Sequence, residues 1–171
     1  MQLIHPTNTE KMLRMNFTIS GLPVKPFQHL FGQSDHDLAK QNVIRYKAEA
    51  NSGFPDRIEM RHAAIGETVL LLNYQHQPAK TPYRASHAIF VLEGAKKTFK
   101  ETNKIPEVLG IRPQSLRAFD KSGMLLEADL AEGAQDMINL IHRQFQNQNV
   151  AYIHTHNAKQ GCYSGLIERA Q

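Results

Sequence analysis

Two histidines one residue apart, His154 and His156, end an apolar run from Val150 to His156, and Asn157 and Gly161-Cys162-Tyr163 follow them. At the period of a strand they share one face with Val150 and Tyr152 and stand roughly 6–7 Å apart. Imidazoles so placed can chelate a metal ion if a third ligand arrives from elsewhere. They can equally work as an acid/base pair near neutrality, or be the polar end of a strand satisfied by backbone. Cys162 is the only cysteine. As a nucleophile it needs a base and an electropositive setting, which His156 or His87 could supply, and Gly161 would let a backbone N–H approach an oxyanion. Taken alone, a free cysteine is more often a small buried hydrophobe.

A second constellation is Thr81-Pro-Tyr-Arg-Ala-Ser-His87, with His76 across a loop. Tyr83 and Arg84 stand where a strand begins, and the Arg84 fork suits a carboxylate or phosphate. His87 shares a face with Ile89 and Val91, so it is expected to be partly buried and to need a partner. Arg117 reads as exposed on a hairpin strand, and Asp120 as the first residue of a turn.

These residues favour an enzyme acting on a small anionic metabolite. Arg84 holds the anion; His87, His154 or His156 serves as acid or base; Cys162 is nucleophile or wall; His76, Tyr83, Asn157 and Tyr163 contact substrate. One alternative is a metal centre of His154, His156 and His87, which the sequence does not favour. The other is a non-enzymatic ligand- or protein-binding module. No P-loop, GxGxxG, CxxC, HExxH or GxSxG is present, so no nucleotide cofactor is indicated.

The elements that must position these groups are mostly strands. Thr68–Tyr74 has four consecutive apolar residues and reads as a central strand, followed by a proline-bounded loop and a second strand, Ser86–Leu92. Val43–Glu49 alternates as a half-buried strand. Asp120-Lys-Ser-Gly123 joins Ser115–Phe119 to Met124–Asp129 as a hairpin. Gly133–Asn147 is the clearest helix, with Met137, Ile138, Ile141 and Phe145 on one stripe. Ser34 reads as the cap of a short helix. Arg57–Met60 reads as a short strand, Lys96–Gly110 as helix or loop, and Gly161–Ala170 as strand or helix. The expected fold is a single α+β domain over residues 15–171. It has a mostly antiparallel sheet, open to strong curvature, with one main helix packed on it. Residues 1–14 read as a poorly ordered N-terminal extension.

At 171 residues the chain is one domain's worth. One cysteine makes no internal disulfide, no apolar leader opens the chain, and no apolar run approaches the ~20 residues of a membrane span. A cytoplasmic setting without a membrane is the expectation. A net charge of +4, with basic residues mostly scattered, disfavours nucleic acid as a partner and leaves a small-molecule ligand. Homo-oligomerisation stays open.

Several segments look familiar together: Gly66-Glu-Thr-Val-Leu-Leu-Leu-Asn73, His76-Gln-Pro78, Thr81-Pro-Tyr-Arg84, Ser86-His-Ala-Ile-Phe-Val91, Leu116-Arg-Ala-Phe-Asp120, and His154-Thr-His-Asn-Ala158 with Gly161-Cys-Tyr163. Between about Met15 and Ala170 the chain resembles the bacterial family catalogued as domain of unknown function 1203. The resemblance implies a small stand-alone bacterial protein and no particular activity. Similar sequences tend to read Phe-Pro-Cys-Arg where this chain has Phe54-Pro-Asp56-Arg57. That leaves Cys162 as the only thiol and counts against any mechanism needing a cysteine pair.

Overall fold

The structure is a computed structural model and describes residues 15–170; the expected extension, 1–14, lies outside the described residues. Two antiparallel sheets carry the chain, where the sequence suggested one. The larger joins β1 (Phe17–Ser20), β5 (Lys100–Thr102), β6 (Gln114–Phe119), β7 (Leu125–Ala131), β8 (Tyr152–Asn157) and β9 (Tyr163–Arg169) in the order β5-β1-β9-β8-β6-β7. The smaller is β2 (Ile44–Lys47), β3 (Thr68–Gln77) and β4 (Ala85–Leu92), with β3 central as its apolar run predicts. Both sheets are open, and the strong curvature left open by the sequence is absent.

Three short helices accompany them: a 3-10 turn at Lys25–Leu30, α1 (Asp35–Ala39), whose first turn Ser34 caps through the Asp37 N–H at 3.2 Å, and α2 (Glu107–Gly110). The main helix, α3 (Ala134–Phe145), lays Met137, Leu140, Ile141 and Phe145 against Leu116, Ala118, Ile153 and Ile167 of the large sheet. Each such side chain contributes roughly 1.5–3 kcal/mol by leaving water. Because side chains alternate along a strand, this helix face of β6 and β8 fixes what the opposite face must carry: Ser115, Arg117 and Phe119 from β6, and Tyr152, His154 and His156 from β8. There the small sheet arrives. Leu70, Leu72 and Ile89 form a second core that includes Tyr163 of β9.

Three local expectations change. Arg57–Met60 is not a strand but a buried loop, bridged at Asp56 to Phe90 and at Pro55 to His62. The loop holds because the Asp56 carboxylate, itself 1% exposed, accepts the backbone N–H groups of Ile58 at 3.1 Å and Leu92 at 2.7 Å. Lys96–Gly110 contains β5 and α2 rather than one element, and Gly161–Ala170 resolves as β9. Among the described residues no helix is long and apolar enough to cross a membrane.

Candidate metal centre and the basic cavity beside it

His154 and His156 leave β8 on the face that meets the small sheet, and the third histidine there is His76 of β3. One ring nitrogen from each of the three lies within 4.8 Å of the other two. The ring of His76 is 4.8 Å from that of His156 and 6.0 Å from that of His154, centroid to centroid. His154 and His156 are buried as residues; His76 is half-buried, but its Nδ1 is shielded. Among the described residues four buried ring nitrogens lack a hydrogen-bond partner: His76 Nδ1, His154 Nδ1 and His156 Nε2 in this cluster, and His62 Nδ1 outside it. Native proteins rarely leave such atoms orphaned, so three on one spot point to something they bind.

The tautomer of His156 follows from its neighbour. Its Nδ1 lies 2.9 Å from the Gly161 carbonyl, which only accepts, so Nδ1 carries the proton and Nε2 keeps its lone pair. A backbone carbonyl holding the far nitrogen is the usual support of a metal-ligating histidine. Gly161 offers that carbonyl from a left-handed turn residue, φ +76°. Tyr163 walls the cluster: it stacks on His76 at 5.4 Å and meets His154 edge-on at 5.1 Å. Tyr163, named from the sequence as a substrate contact, is buried and forms a wall of the cluster.

Burial is the main force on these rings. It holds His154 and His156 down at about 3 and His76 at about 4, against an ordinary 6.5, with Arg117 adding a smaller push on all three. Arg117 lies directly across from His154 and is half-buried instead of exposed. The imidazoles are therefore neutral at pH 7, the form that ligates. The unfolded chain, with histidines near 6.5, binds protons that the native chain refuses. Stability is fully present above about pH 6.5 and is lost as pH falls toward 4 and 3. Thermal unfolding followed against pH will show a decline beginning near 6.5, of roughly 2–3 kcal/mol per pH unit for the two deeply buried rings. The decline will be shallower in His154→Phe; an equal slope in that variant would exclude this origin.

A cavity of about 450 Å³ opens beside the cluster, lined by His76, His154, Tyr152, Lys121 and Glu168 among others. A second cavity, about 260 Å³, lies at the β8–β9 turn and has His87, Asn157 and Cys162 on its wall. The cations there are Arg57 and Arg112, not Arg84. Arg84 and Tyr83 are exposed on the β3–β4 loop and line neither cavity. His87 stands outside the histidine cluster; its Nδ1 faces the Ala88 carbonyl at 3.1 Å. Asn157 is a strut. Its Oδ1 accepts from Gln114 Nε2 at 3.0 Å and its Nδ2 points at Cys162 Sγ, 3.3 Å away.

The family model described as protein of unknown function (DUF1203) matches residues 53–169, more than half of the chain. The chain belongs to this family. Every histidine, arginine and cysteine named in the two sites lies inside the DUF1203 segment. Searches of curated proteins and of solved structures found no match.

Proposed function

We propose that this DUF1203 protein is a metal-dependent enzyme whose centre is His76, His154 and His156, holding one divalent transition-metal ion of the zinc or iron class. The convergence of three neutral imidazoles, with a buried unpartnered nitrogen on each, carries this reading. Imidazole nitrogens suit these ions, and three protein ligands with an open position are typical of catalytic rather than structural sites. A tetrahedral zinc site needs nitrogens roughly 3.3 Å apart, from Zn–N bonds of about 2.0–2.1 Å. The three nitrogens would draw closer together around a bound ion. Two ligands sit on β8 and one on β3, so the ion would also tie the two sheets together. When bound, it supplies a Lewis acid and makes water a nucleophile near neutral pH. Glu168, on the wall of the adjoining cavity, is the carboxylate available to take up a proton, and Lys121 gives that wall a positive charge.

Elemental analysis of protein purified without a His-tag tests the reading. About one equivalent of a transition metal per chain is expected. Substoichiometric zinc, iron, copper and manganese, together with no binding of added zinc or cobalt, would overturn it.

A further inference from the structure

The cavity beside Cys162 is a separate place on the molecule, and none of the histidine ligands lines it. Its wall carries Arg57, Arg112, His87, Asn157 and Cys162, closed on one side by Phe90. Among the described residues no aspartate or glutamate lines it. Arg57 is 4% exposed, a rare setting for a guanidinium. Its Nε donates to the Tyr163 carbonyl at 2.6 Å, its Nη1 donates to the Pro55 carbonyl, and its Nη2 lies 3.3 Å from Cys162 Sγ. Those contacts occupy three of five N–H donors, two of them on neutral carbonyls.

Asp56 favours the Arg57 charge from a distance but makes no direct contact with it. Asp56 spends its carboxylate on backbone N–H groups of Ile58, Glu59 and Leu92, and Arg57 forms no ion pair among the described residues. Arg112 adds a like charge, and its only side-chain hydrogen bond among the described residues is with His62 Nε2 at 3.3 Å. Burial is the main force against the charged form of Arg57 and Arg112 adds a little to it, while Cys162 and Asp56 favour the charge. A purely structural arginine would be better placed without a second cation facing the same hollow. Two cations converging on a cavity without an acid is an arrangement that an anion completes.

We propose that this cavity binds a small oxyanion, a carboxylate or a phosphate, between Arg57 and Arg112, with Cys162 on its wall. The volume, about 260 Å³, sits just below the usual range for ligand sites and suits a metabolite of a few heavy atoms. His87 reaches toward the turn that carries Gly161: its Nε2 would lie 4.0 Å from a Cβ placed on that glycine. The same turn presents the Gly161 carbonyl to His156. The oxyanion site therefore shares one β-turn with the histidine centre, although it does not depend on a metal being there.

Equilibrium dialysis of the tag-free protein against labelled inorganic phosphate and, separately, labelled succinate tests this. About one of either anion per chain is expected, weakened at least tenfold in Arg112→Gln and retained in His76→Ala. Whichever anion binds more tightly names the class. Binding of neither at millimolar concentration would overturn the proposal. So would Arg112→Gln binding as well as the parent, or loss of binding in His76→Ala, which would move the anion to the histidines. Cys162 gives a second readout. Iodoacetamide forms a carbon–sulfur bond at the thiolate as iodide leaves, and the bound anion should slow this at least fivefold in the parent and not in Arg112→Gln. Should Arg112→Gln fail to fold, protection of the parent decides alone: alkylation at the same rate with and without anion refutes the site.

Discussion

His76→Ala will reduce the transition-metal content of the protein from about one ion per chain to below a tenth, while His87→Ala will leave it unchanged. Both residues are histidines of the β3–β4 hairpin, and they differ in where that hairpin puts them. His76 brings a ring nitrogen to within 4.8 Å of those of His154 and His156, whereas His87 lies in the neighbouring cavity against its own strand. Removing a direct ligand should cost more than the 10–100-fold in affinity that loss of a supporting group costs. Titration with cobalt(II), read by its visible absorption, should therefore show affinity down by more than about 100-fold in His76→Ala and by less than about threefold in His87→Ala. Near-UV circular dichroism of both variants checks that the fold is intact. The reverse pattern would make His87 the third ligand and dismantle the centre described here.

That pair of residues also shows where the sequence stopped being legible. The face shared by His154 and His156 follows from strand period alone, and the hairpin at Asp120–Gly123 and the stripe on α3 are equally local. His76 is different. Its own strand is readable, but its meeting with β8, nearly eighty residues away, arises from one sheet packing on another, which no short-range pattern encodes. The same holds for Arg117, whose burial is set by that packing rather than by its hairpin. Arg57 was hidden for another reason. Composition makes arginine a surface residue, and only the loop held by Asp56 makes room for a buried one. Arg84 is the opposite case, since a strand-end arginine beside a tyrosine reads as a ligand contact, yet it stands exposed and lines neither cavity.

Gly21→Ala should be among the most damaging single substitutions in the chain. The sequence marks Gly21 only as the end of a strand, but an added Cβ would lie 2.2 Å from the Ile58 carbonyl oxygen and 2.9 Å from that of Arg57. Both obstacles are backbone, and both are already committed: Leu22 N–H donates to the Arg57 carbonyl at 2.7 Å and Phe99 N–H to the Ile58 carbonyl at 2.9 Å. No side chain can swing away, so the main chain of residues 57 and 58 must shift and strain its hydrogen bonds. Overpacking against backbone falls at the upper end of the usual range, about 3 kcal/mol. For a domain of this size that is a fall of roughly 6–12 °C in Tm. Gly110→Ala is the control, since its added Cβ meets nothing nearer than the Ala134 Cβ at 3.4 Å, and it should cost less than about 1 kcal/mol. A Gly21→Ala protein as stable as the Gly110→Ala control would refute this contact. Gly21 lies outside residues 53–169, the segment that the family model matches.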